Sequence, residues 1–98
     1  MLSGMRSLFH LAFNVTDLDL ARRFYGEVLG CVEGRSTATW VDFDCYDHQL
    51  SLHLGQPFET RNTGLVDGMQ VPMPHFGLVL ALPDWQRMAE RLRAADTR

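Results

Sequence analysis

The chain has 98 residues, of which 46% are hydrophobic and 21% charged, so it is one small globular domain and neither a two-domain protein nor a disordered chain. A net charge of −3 and a pI near 5.7 make it a poor electrostatic partner for nucleic acid or an anionic membrane. No apolar run approaches the ~18 residues of a membrane span, and Met1 to Arg6 lack a signal-peptide pattern.

All nine basic residues are arginine, which removes the Schiff-base lysine and the P-loop lysine from the available chemistry. Cys31 and Cys45 make neither a disulfide framework nor a cysteine zinc site, so a reduced, cytoplasmic setting is expected. A compact chain of this mass should expose roughly 5,700 Å².

In chain order, residues 7–15 (SLFHLAFNV) alternate. Phe9, Leu11, Phe13 and Val15 point one way, and His10, Ala12 and Asn14 the other, as in a half-buried strand. Thr16 is the expected helix N-cap, with Asp19 completing a capping-box pattern. Leu18, Ala21, Phe24, Tyr25, Val28 and Leu29 fall at helical spacing, and Gly30 is the stop signal. A short strand is expected at 31–36 and a longer one at 38–45, with Trp40, Asp42 and Asp44 on one face. Tyr46-Asp47-His48 reads as a turn. The strand 48–54 sends Leu50, Leu52 and Leu54 to the core and Gln49, Ser51 and His53 to the other face. Residues 1–55 therefore form a β-α-β-β-β module in two layers.

Residues 56–73 show no periodicity and read as a long connecting loop. A strand at 75–81 (HFGLVLA) and a helix at 84–95 follow, the helix carrying Trp85, Met88, Ala89, Leu92 and Ala95 on one stripe. These make residues 74–98 the opening β-α of a second module. His75 lies 65 positions after His10, and at that offset Asp19 matches Asp84 and Arg22 matches Arg87. The second copy reaches Arg98 before any counterpart of the first copy's later strands.

The segments FHLAFNVTDLDLARRFYGEVLG, WVDFDCYDHQLSLHL and VPMPHFGLVLALPDWQRMAERLRAA resemble the vicinal oxygen chelate superfamily, also described as glyoxalase/bleomycin resistance/dioxygenase. The short extradiol-dioxygenase-like members are most similar. The resemblance implies an α+β fold of paired β-α-β-β-β modules around a divalent metal. It also implies ring-cleaving dioxygenase chemistry, or related lyase or isomerase chemistry. His10 and His75 match the two histidine ligand positions of an Fe(II) site, which Mn, Ni, Co or Zn can also occupy. The glutamate that completes the site would lie in the stretch this chain lacks.

Two imidazoles and a carboxylate would leave open positions for a chelating substrate and O₂. The alternative is that His10 and His75 simply line a cavity. His53, Gln49, Ser51, Asn14 and Asp42 are candidates for contacting the substrate or supporting the ligands; ordinary polar strand positions explain them equally. Asp42 or Asp44 standing in for the glutamate is the less favoured option, exposed surface carboxylates being the ordinary one. His48 reads as a turn residue, and Phe58 and Met69 as candidate covers of a pocket. Without a metal, an acidic, aromatic-lined groove suits a cationic drug-like ligand, as in bleomycin-resistance proteins. A second module lacking sheet neighbours implies a homodimer, with strands exchanged between copies and no activity in the chain alone as the limiting case.

Overall fold

Strict alternation in three apolar segments, with a helix between the first two, builds the part of the molecule that carries the site. The computed structural model describes residues 8–95. Strand β1 (His10–Val15) is followed by helix α1 (Leu18–Arg22), which runs into a π-helical segment over Arg23–Val28. Strands β2 (Val32–Ser36), β3 (Trp40–Cys45) and β4 (His48–Leu54) complete the first module. The sheet order is β1-β4-β3-β2, with β1 parallel to β4 and the other pairs antiparallel.

The register sorts the two faces. Leu50 pairs with Phe43, and Leu52 with Val41 and Phe13. Leu50, Leu52, Val41 and Phe43 are buried together with Leu18, Ala21 and Cys31, with Phe13, Val15, Tyr25, Leu29 and Cys45 packed around them. This is the core between sheet and helix. Leu54, expected in it, is half-exposed at 50% because it ends its strand.

The helix start differs by one residue from the sequence expectation. Asp17, not Thr16, is the N-cap, and its carboxylate accepts from the Leu20 amide at 3.1 Å. Only the first turn and a half is α-helical; Arg23–Val28 widen to π geometry, with Phe24, Tyr25 and Val28 half-buried. Gly30 then adopts φ +80°, the left-handed conformation expected of its stop signal. Tyr46 and Asp47, at φ 53° and 72°, form a tight two-residue turn between β3 and β4.

The second half corrects two expectations. Residues 56–73 are not an irregular loop, because β5 (Arg61–Val66) and β6 (Met69–Met73) form an antiparallel hairpin. Its turn is Asp67-Gly68, with φ 50° and 79°. The expected strand at 75–81 is not one, since no strand among the described residues pairs with it and alternation alone supplies no ladder partner. The expected helix is present as α2 (Leu82–Ala94), with Pro83 in its first turn. Met88, Ala89 and Leu92 are half-buried, but Trp85 is exposed. The Arg91 guanidinium docks α2 by donating to the Glu27 carbonyl at 3.0 Å.

Candidate functional site

The sheet face away from α1 carries three cross-strand rows, fixed by the register: His10–Gln49–Asp44, Ala12–Ser51–Asp42 and Asn14–His53–Trp40. Of the candidates for ligating or contacting a ligand, His10, Asn14, Asp42, Gln49, Ser51 and His53 stand on this face, and His75, Phe58 and Met69 do not.

The middle row is a fixed charge. Asp42 is buried, against the expectation of an exposed carboxylate. Ser51 Oγ donates to its Oδ1 at 2.6 Å, and Arg35 Nη2 donates to its Oδ2 at 3.2 Å. The Ser51 hydrogen bond, opposed by burial and aided by the Arg35 guanidinium and the nearby His10 ring, holds the Asp42 carboxyl below the usual carboxylate range. With both oxygens engaged, Asp42 is set to orient its neighbours rather than to exchange protons near neutral pH.

The last row borders a cleft of about 380 Å³ lined by Ala12, Phe13, Asn14, His53, Gln56 and Phe58. Its wall is built by a close approach of two segments. Asn14 Nδ2 donates to the Gln56 carbonyl at 3.0 Å, and the Gly55 amide donates to the Val15 carbonyl at 3.0 Å. A Cβ on Gly55 would lie 3.0 Å from the Asn14 amide group, so any larger residue here would have to push that side chain aside by a few tenths of an ångström. Trp40 backs His53, with ring centroids 6.3 Å apart. A second hollow of about 200 Å³ shares Ala12, Phe13 and Phe58 and adds Leu11, Pro74, His75 and Phe76. The Phe13 ring meets Phe58 edge-on at 5.7 Å and Phe76 at 5.4 Å.

The structure therefore gathers Asn14 and His53 at one hollow and His75 at the next, while Ser51, Asp42, Gln49 and His10 line neither. His10 is exposed at the start of β1. The His75 ring donates from Nδ1 to the Pro72 carbonyl at 2.7 Å, which fixes its orientation. His48 begins β4, and its Nδ1 accepts from the Phe9 amide at 3.0 Å. Phe58 covers the cleft; Met69 lies on the hairpin, outside both hollows. Sequence reading passed over Gln56, whose contribution is a backbone carbonyl and leaves no side-chain signal. The expected acidic lining is absent, since neither hollow is lined by a carboxylate or a guanidinium.

The sequence profile of the Glyoxalase/Bleomycin resistance protein/Dioxygenase superfamily matches residues 7–98. The chain belongs to this superfamily. No curated protein matches the sequence closely enough to add a relative. Among solved structures, a glyoxalase/bleomycin resistance protein/dioxygenase from Alicyclobacillus acidocaldarius superposes with a TM-score of 0.71 at 24% identity, covering 93% of this chain and 64% of that one. A lactoylglutathione lyase from Agrobacterium tumefaciens gives 0.62 at 20% identity, covering 98% and 75%. A glyoxalase family protein from Bacillus anthracis gives 0.58 at 14%, covering 100% and 76%. At these identities the likeness fixes the fold. The chain spans less than two thirds of the length of the Alicyclobacillus protein.

The resemblance to this superfamily implies a divalent metal. Among the described residues, no three of His, Cys, Asp and Glu stand together closely enough to hold a metal ion. The described residues of one chain thus do not fit such an ion by themselves. No helix among the described residues is long and apolar enough to cross a membrane.

Proposed function

We propose that this superfamily member is a small-molecule-binding protein whose ligand lies in the cleft between β1, β4 and the Gly55–Phe58 segment. One observation carries this reading: a hollow of about 380 Å³, within the range of small-molecule pockets, is walled by aromatic rings and by the polar groups of Asn14 and His53. The neutral lining favours an uncharged aromatic ligand over a cationic one. Phe13 and Phe58 supply the apolar walls, and the His53 ring and Asn14 amide supply the hydrogen bonds that orient the ligand. Titration with a panel of neutral phenols and naphthols, followed by Trp40 fluorescence in a Trp85→Phe background, tests this. Saturable quenching that weakens at least tenfold in His53→Ala and Phe58→Ala is the expected result. Binding of cationic compounds alone, or no saturable change with any of them, sinks the reading.

A second reading is the metal-dependent one: an extradiol-type dioxygenase, or a related lyase or isomerase, using Fe(II) held by His10 and His75. The Nδ1 contact of His75 with a carbonyl favours it, because it orients the ring and leaves Nε2 for a ligand bond. Further donors would have to come from outside the described residues, and a homodimer with exchanged segments is the arrangement that supplies them. Stoichiometric iron uptake lost in both His10→Ala and His75→Ala supports this reading; retention of iron by both variants rejects it.

A further inference from the structure

The pair Cys31 and Cys45 lies apart from the cleft and has no part in the proposed binding. The β2–β3 register places Val32 opposite Asp44. One step further along the same ladder, Cys31 faces Cys45. Their Cα atoms are 4.6 Å apart, the spacing of a non-hydrogen-bonded antiparallel pair. The backbone alone thus presents the two sulfurs to each other, and the structure joins them in a disulfide. This corrects the expectation of two reduced thiols, which spacing in sequence could not decide.

The two residues are unequally exposed. Cys31 is buried, whereas Cys45 is half-buried. Four segments converge on them. The Cys31 amide donates to the Tyr25 carbonyl in the π segment at 2.8 Å. The Tyr46 hydroxyl donates to the Leu29 carbonyl. Cys45 pairs with His48, and the His48 ring accepts from the Phe9 amide beside His10. These hydrogen bonds and the β2–β3 ladder do not need the S–S bond. Two thiols fit the same core position as small apolar groups.

We propose that Cys31–Cys45 is a reversible thiol–disulfide latch, which sets the rigidity of the corner joining the π segment, the start of β2, the β3–β4 turn and the start of β1. Reduction begins with a thiolate of a low-molecular-weight dithiol attacking Cys45 Sγ, on the more exposed of the two residues. The S–S bond breaks, and Cys31 leaves as a thiolate that takes up a proton. The second thiol of the reductant then attacks its own sulfur in the mixed disulfide. Cys45 is released as a thiol and the reductant departs as a cyclic disulfide, two electrons having passed to the protein. Oxidation by a low-molecular-weight disulfide is the reverse exchange.

The test uses the full chain equilibrated in mixtures of reduced and oxidised dithiothreitol from reducing to oxidising. Thiols are counted by alkylation and mass spectrometry, with thermal melting and amide exchange on the same samples. These cysteines are the chain's only two, so the count reads the latch directly. Exchange is run without denaturant, quenched with acid, and the chain is then unfolded and alkylated; no addition is expected from oxidising buffer and two from reducing buffer. Reduction should lower Tm by about 10 °C while the circular dichroism stays that of a folded chain. Amide exchange should rise at residues 29–33 and 44–48. The Cys31→Ser/Cys45→Ser variant should melt with the reduced protein and ignore the buffer. Three results overturn the proposal: two free thiols in the most oxidising buffer, a disulfide that yields only after unfolding, or reduction that unfolds the chain outright. The alkylation count on the unmodified chain decides even where the double variant does not fold.

Discussion

Asp42 is the residue whose environment departs furthest from what its position in a strand implies. Alternation places it on the polar face, where a carboxylate is ordinarily solvated. It is instead 8% exposed and held by Ser51 and Arg35. Arg35 is itself largely exposed, so solvent screens that ion pair and the Ser51 bond carries more of the effect. Removing it leaves a nearly buried oxygen without its donor, and Ser51→Ala should cost about 1–3 kcal/mol in urea unfolding. The pH dependence follows from the direction of the shift. A carboxyl whose folded pKa is depressed contributes stability that is fully present above its unfolded value and is lost as pH falls through the folded value. The chain's stability should therefore decline as pH drops below the ordinary aspartate range, starting near 3.8. In Ser51→Ala that decline should be shallower, because less of the depression remains. Equal slopes in the two proteins would mean that Ser51 does not hold the Asp42 charge.

At the scale of elements, Arg91 is the polar tie between α2 and the first module that the structure defines most sharply. It reaches the Glu27 carbonyl at the end of the π segment, where unpaired carbonyls accumulate. Gly30 leaves room for the guanidinium, which lies 3.3 Å from where a Cβ would stand. Arg91→Ala should loosen α2 alone. Amide exchange over 82–94 should accelerate at least tenfold while β3 and β4 keep their protection, and acceleration spread evenly over the chain would refute a local tie. How legible each element was depends on what holds it. The β-α-β-β-β module could be read from sequence because its strands alternate and bury one face against one helix, so pattern and packing agree. The hairpin was missed although Asp67-Gly68 between Val66 and Met69 is a strong turn signal; Gly64 and Pro72 in the flanking strands masked the alternation. Residues 75–81 failed the other way, with a strand pattern but no ladder, since pairing is a tertiary fact. The candidate residues on β1, β3 and β4 followed from parity. The cleft wall did not, because it rests on a main-chain carbonyl and a glycine.

At the scale of the molecule, the chain exposes 7781 Å², over a third more than the roughly 5,700 Å² of a compact protein of its mass. The exposed part is strongly apolar. Val79 is fully exposed at 103%, and Leu65, Met69, Leu82 and Trp85 are more than half exposed. These residues lie on the β5–β6 hairpin, the unpaired segment 75–81 and α2, the elements outside the first module's core. A two-stranded hairpin is marginal by itself, and an extended segment with unpaired amides is poised to add to a sheet edge. Among the described residues strand β1 is bonded to β4 on one side only, which leaves such an edge. A second copy of the chain would answer both needs at once, because a two-fold would place each such segment where the other copy could cover it. Sedimentation equilibrium at micromolar concentration should therefore give twice the 11.2 kDa chain mass. Val79→Glu sets a charge in the middle of the apolar segment without touching the core. It should shift the protein to the single-chain mass while the β3–β4 amides stay protected. A single-chain mass for the unaltered protein across that concentration range, with no aggregation, would show that this apolar surface is tolerated in water and that two-fold pairing is not how the chain covers it.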